Sequence, residues 1–236
     1  MHHKLTLFIF LLFPIIVSAQ KTIYRISLNS GLFSFAGKSA KNTSFINYSN
    51  LNNSGYTNSP YGSKAGLCYG LSANMIRATK TNFLMGLDIG YENLNSKVLI
   101  DAISGYTGNA TYAYTATGKT ILSYGFLNLY PFIGWRFKAE KLSFDITGGL
   151  ELGYCLAANE KGNATATNGT KYITAVDRKT IKKDIRPRIQ VSANYHKTGV
   201  YVGYSYGLTN YMNGYVGGIN ECYARLLRFG LTYQIK

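Results

Sequence analysis

Charged side chains are scarce in this chain. Asp, Glu, Lys and Arg make up 15% of its 236 residues, well below the roughly one quarter usual for soluble domains. Acids are the scarcer sign, 10 against 25 Lys and Arg, which leaves a formal charge of +15. Outside the N-terminus no apolar run is long enough to cross a membrane as a helix, which argues against a helix-spanning protein. Proline occurs 4 times. There are 3 His, and two of them are His2 and His3. That leaves His196 as the one imidazole available to any mature protein. What the chain has in plenty is Gly, 25 residues, and aromatics, 14% with 21 Tyr.

The N-terminus reads as an export signal. Met1 to Lys4 is short and basic, Leu5 to Ile16 is apolar, and Val17, Ser18 and Ala19 supply small residues at a cleavage site. Residues 1–19 are therefore expected to be a cleaved signal peptide, and residues 20–236 the mature domain. Export removes nucleic acid as a partner for the basic charge. The polyanion available outside a Gram-negative cell is lipopolysaccharide.

The rest of the chain alternates with a period of two. Leu142, Phe144, Ile146, Leu150, Leu152 and Tyr154 share one parity, and Ser143, Asp145, Thr147, Gly149, Glu151 and Gly153 share the other. Successive side chains of a strand face opposite ways, so each such run has one apolar and one polar or small face. Eight runs of this kind are expected to be strands: 22–35, 66–78, 83–93, 121–137, 142–155, 185–195, 200–209 and 224–235. The connections alternate long and short, with short turns at 79–82, 138–141 and 196–199. An even strand count, long loops on one rim and short turns on the other are the plan of an up-and-down, eight-stranded antiparallel transmembrane β-barrel with both termini periplasmic. Pro131 and Pro187 fall inside strands that have no edge, so each implies a bulge or a lost ladder bond.

On this reading the apolar parity faces lipid. Tyr24, Phe83, Trp135, Phe137, Tyr195 and Tyr233 fall toward the short-turn end, and Tyr69, Tyr91, Tyr154 and Tyr206 toward the long-loop end. Two aromatic bands match the two interfaces of a bilayer. The polar parity carries Arg25, Asp88, Glu92, Arg136, Asp145, Glu151, Arg188 and Arg228. An eight-strand lumen is just wide enough for side chains to fill it, and buried ions must pair. These eight are expected to form a salt-bridge network that plugs the barrel. Cys68, Cys155 and Cys222 also take the inward parity and are expected to be small buried side chains.

The four long loops sum to about +7, densest at Arg178, Lys179, Lys182, Lys183 and Arg186. Lipopolysaccharide phosphates are natural counter-charges for this segment. A solvated loop is an equal alternative. His196 falls in a short turn on the wrong rim for chemistry on the outer leaflet. No catalytic residue, metal site or cofactor is assigned, and an outer-leaflet enzyme is the weaker reading.

The signal ending "SAQ", the strands "FLNLYPFIGWRF" and "FDITGGLELGY", the stretch "VYVGYSYGLTNY" and the closing "LRFGLTYQIK" resemble the PorT-like outer-membrane β-barrel proteins of Bacteroidetes-type bacteria. The resemblance spans the mature chain. It implies an eight-strand barrel with both termini in the periplasm, and the family's namesake is linked to protein secretion and surface attachment. The chain departs from typical members by ending on Ile235 and Lys236 rather than on an aromatic residue. The expected role is an integral outer-membrane barrel, non-enzymatic, with basic loops for binding at the surface. The alternative is an accessory barrel of a secretion machine. Expected partners are outer-membrane lipid and lipopolysaccharide, the barrel-assembly machinery during insertion, and secretion-system or surface proteins.

Overall fold

The computed structural model describes residues 19–215 and 217–235. The expected signal peptide lies outside them except for Ala19. The strands are β1 (Ala19–Ala36), β2 (Thr43–Ser49), β3 (Ser54–Thr57), β4 (Lys64–Thr79), β5 (Phe83–Tyr106), β6 (Thr111–Ala139), β7 (Leu142–Ala166), β8 (Lys171–Asp177), β9 (Lys183–Tyr195), β10 (Thr198–Tyr206) and β11 (Tyr223–Gln234).

Eight of them close a ring in the order β1, β4, β5, β6, β7, β9, β10, β11, with β11 pairing back onto β1. Every ring pairing is antiparallel. The eight strands expected from the alternation are these eight. Closure leaves no ring strand with an unpaired edge, the condition for a sheet to stand in lipid.

The ring is apolar outside and polar inside. Leu150 on β7 is 51% exposed while Glu151 beside it is 0% exposed. The same reversal runs round the wall through Leu28, Leu71, Ile89, Ile133, Ile189, Val202 and Leu231, all exposed. A band of exposed aliphatic side chains on every strand is what a lipid-facing wall requires. Trp135 and Phe83 meet edge to face at 6.2 Å near the short-turn rim. Two of the short turns place Glu140 and His196 at positive φ, 49° and 50°.

The two strand prolines act differently. Pro187 pairs with Leu150 without any break in register. At Pro131 the β6–β7 ladder lapses over two residues and resumes in the same register, from Leu129 opposite Leu152 to Phe132 opposite Gly149. A proline has no N–H to give, so a ladder bond is lost there and no residue is inserted.

The long connections are not loops throughout. β5, β6 and β7 run to 24, 29 and 25 residues, two to three times the roughly 9–11 a bilayer needs. Their far halves stand beyond the ring and gather three short strands. β2 pairs parallel with β5, β3 antiparallel with β2, and β8 antiparallel with β7. The result is a six-stranded head in the order β3, β2, β5, β6, β7, β8. Its core is Ile46, Val98, Ile100, Ile103, Ala116, Ala164, Ala166 and Tyr172, all buried. The expected ends of these strands, at 93, 121 and 155, are therefore corrected.

The faces invert where the strands leave the ring. Along β5 the inward residues change from Asp88 and Glu92 to Leu94, Val98 and Ile100, and the outward ones from Ile89 and Tyr91 to Asn95 and Lys97. Within the ring the outside is apolar. In the head the inside is apolar, as in any water-soluble sheet.

Candidate functional site

The ring interior is filled in layers. At the short-turn rim Ile23, Ile76, Leu84, Tyr130 and Phe132 pack together. At the long-loop rim Phe33, Phe35, Tyr61, Tyr124, Phe126 and Tyr211 pack with the three cysteines. Phe35 meets Tyr211, Phe33 and Tyr61 edge to face at 4.9, 5.0 and 5.2 Å. Cys68, Cys155 and Cys222 are buried there as free thiols.

The charges lie in two groups, the first at the short-turn rim and the second between the two layers. In the first, Arg136 grips Asp145 through Nε and Nη2 at 2.6 and 2.7 Å, and Arg25 and Asn194 reach the same carboxylate at 3.3 and 3.2 Å. In the second, Arg228 donates twice to Glu92, at 2.7 and 2.8 Å, and once to Glu151 at 2.6 Å. Arg188 donates to the other oxygen of Glu151 at 3.0 Å and lies over the Tyr130 ring, 4.4 Å from its centroid. Asn128 bridges the group, giving a hydrogen bond to Glu92 and accepting one from Arg186, both at 2.7 Å. Asp88 is buried beside Ser72, in the field of Arg188.

Arg186 departs from its expected place in the basic loop. It is fully buried in the lumen, with Nη2 2.7 Å from Glu151 and Nε 3.8 Å from Asp184. The reason is parity. Arg186 and Arg188 lie on the same face of β9, and that face points inward. Asp184, one step further along that face, was not singled out from the sequence. It accepts from the Tyr211 hydroxyl at 2.8 Å. With these two the described ring interior holds five Arg and five carboxylates, all buried. Equal numbers matter because an unpaired charge there would carry a large desolvation cost.

The remaining residues of the basic segment separate. Arg178 is half-buried and binds Glu160 through Nε at 2.7 Å and through Nη2, which also donates to the Thr57 carbonyl at 2.5 Å. Glu160 in turn accepts from the Thr57 N–H and hydroxyl at 2.8 and 2.7 Å. This cluster ties β3 to β7 and to the segment after β8, at the base of the head. Lys179, Lys182 and Lys183 are exposed.

Lys179 lines a cleft of about 430 Å³ at the long-loop rim. Lys38, Lys41 and Arg178 share its wall, and no acid does. Its floor is Tyr61 and Tyr124, and Tyr215 stands at its edge. Two bonds fix the cleft's sides: Ser39 Oγ donates to the Ile219 carbonyl at 2.5 Å and accepts from the Glu221 N–H at 3.0 Å. Burial pushes the Tyr61 hydroxyl up from its ordinary range, so it stays neutral in neutral solution.

A closed eight-stranded barrel with an apolar outer wall and a side-chain-filled lumen is the class these features define. No protein-family model matches the chain, and no curated protein matches it in sequence. Solved structures that overlap it include Ail, the attachment invasion locus protein of Yersinia pestis, solved with the heparin analogue sucrose octasulfate. That match has 8% identity over 91% of this chain and 97% of Ail, with a TM-score of 0.33. Neisserial surface protein A gives 8% identity over 91% of this chain and 99% of its own, TM-score 0.35. The outer-membrane protease OmpT of Escherichia coli gives 12% over 92% and 98%, TM-score 0.32. With TM-scores this low, the ring closure of this chain rests on its own hydrogen-bond ladder.

Proposed function

We propose that this protein is an integral outer-membrane barrel of a Gram-negative bacterium, exported by the signal at residues 1–19, that binds at the cell surface rather than catalysing or conducting. The observation that carries this reading is the contrast between the two ends of the long strands. The ring is plugged by paired charge and two apolar layers, whereas the head is a built β-structure with its own core and basic connections around it. A plugged lumen leaves no path for solute, and an ordered head is a surface for a partner. The described imidazole, His196, sits in a short turn, on the rim opposite the head, which also favours binding over acid–base chemistry. The sequence resemblance to PorT-like barrels agrees with the wall and the strand order.

Lipopolysaccharide is the partner that the basic rim suits best. The test is to fractionate expressing cells, confirm heat-modifiable migration of the barrel, and titrate the purified protein with lipopolysaccharide. Recovery in the outer membrane, a heat-dependent mobility shift and salt-sensitive binding are expected. Recovery as a soluble periplasmic protein would overturn the reading.

A second reading, an accessory barrel of a secretion machine, is favoured by one feature. Leu51, Tyr106 and Ile173 are exposed on the head, beyond the apolar wall. A stable multiprotein complex in mild detergent would support it.

A further inference from the structure

We infer that the cleft at the long-loop rim is a binding site for a phosphorylated saccharide. This deepens the surface-binding reading above and rests on it. Three observations converge on the cleft.

The first is charge. Four cations line it and no acid does. Two are partly offset, Lys38 by Glu221 at 3.7 Å and Arg178 by Glu160. Lys41 and Lys179 make no ion pair among the described residues. Two uncompensated ammonium groups and a fixed guanidinium in one concavity select an anion, and phosphate esters accept several hydrogen bonds at once.

The second is a buried hydroxyl pair short of a well-formed bond. Tyr124 is 0% exposed, and its Oη makes no hydrogen bond of good geometry. The hydroxyl it faces is that of Thr180, set too loosely for a well-formed bond. A buried polar group is costly to leave poorly bonded, and a ligand hydroxyl entering from the cleft would complete the bonding of this pair.

The third is shape and surface. The volume, about 430 Å³, falls in the small-molecule range. Tyr215, 54% exposed, offers a ring face at the edge, and Asn58 and Ser59 supply polar groups along the wall. An inorganic anion would leave the tyrosines and these groups idle. A sugar ring stacks on an aromatic face and hydrogen-bonds through its hydroxyls. Such a ligand comes from two sources, the phosphorylated sugar head of lipopolysaccharide or a free sugar phosphate, with the same recognition chemistry.

The test uses the full mature chain, refolded in detergent without phosphate and checked by heat-modifiable migration. Calorimetric titrations are run with a bis-phosphorylated glucosamine disaccharide, its dephosphorylated form, inorganic phosphate, and lipopolysaccharide micelles. The phosphorylated disaccharide is expected to bind at least about tenfold tighter than either small control, the scale of one charge-assisted hydrogen bond. The double variant Lys41→Ala with Lys179→Ala is expected to lose about tenfold or more in affinity by the same arithmetic. Both residues are exposed, so folding is preserved. Tyr124→Phe is expected to weaken binding with no change in the heat shift.

Displacement of bound lipopolysaccharide by the disaccharide would support the site and identify the lipid head as a source. Disaccharide binding without that competition would support the site and point to a free sugar phosphate. Equal binding of the dephosphorylated sugar or of inorganic phosphate would overturn it. Lipopolysaccharide binding that the double lysine variant leaves unchanged would overturn the cleft while the surface-binding reading stands. No binding of any probe by the wild type would overturn both.

Discussion

Arg228 holds two carboxylates at once, Glu92 through two bonds and Glu151 through one, and it is fully buried. Removing it leaves both acids short of a partner in a site that water does not reach. Arg228→Ala is therefore expected to destabilise the refolded barrel by about 3–5 kcal/mol, the scale of a broken buried ion pair, as read by urea unfolding in detergent. Arg25→Ala is expected to cost much less. Asp145 keeps its two-bond grip from Arg136 when the single 3.3 Å contact from Arg25 is gone. Equal losses for the two variants would contradict the arrangement described. The inward position of both arginines was legible from parity, because each alternates with exposed apolar neighbours, Tyr24 and Ile26 for Arg25 and Leu227 and Phe229 for Arg228. Which acid each one meets was not, since Arg228 and Glu92 are 136 residues apart.

Among the elements, β6 and β7 share a seam in the wall. Their ladder lapses at Pro131, and a Cβ on Gly149 would stand 2.1 Å from the Pro131 carbonyl oxygen. Gly148 faces outward, with nothing nearer than 3.9 Å. Gly149→Ala should therefore reduce the fraction of heat-modifiable barrel on refolding, while Gly148→Ala should not. Similar yields for the two would count against the seam.

The head makes a separate prediction. β2 and β3 add to β5 from outside the ring, and the chain at Lys41 already bridges to Gly62. Replacing residues 43–60 with a short Gly-Ser linker is expected to leave the ring's heat shift intact. It should also bare Val98 and Ile100 and open the 107–110 turn to limited proteolysis. The head escaped the sequence for a physical reason. The period of two continues through β5 but the apolar face changes sides, so a single-face criterion stops at the membrane boundary. In β7 a bulge intervenes as well: Gly125 pairs with Ala157 but Phe126 pairs with Cys155, and the buried parity shifts by one.

For the whole molecule the filled lumen sets the expectation. Two apolar layers, five arginines and five carboxylates fill it, and an eight-strand ring has no room beyond such side chains. The purified protein in a planar bilayer is expected to show no steady conductance at moderate voltage. A stable open level that persists after repurification would sink the plug and, with it, the binding role built on it.

The sequence by itself determined the ring: the number of strands, their alternation, the rim that holds the short turns and the inward parity of the charges. These are local properties, since a strand's two faces are written in every second residue. The tertiary structure decided what depends on distant segments meeting. It paired the arginines with their acids and drew Arg186 from the basic segment into the lumen. It folded the long connections into a head. It also brought Lys41, Tyr124 and Lys179 from three parts of the chain to one cleft. No periodicity records such meetings, because they follow from ring closure and strand register and not from neighbouring residues.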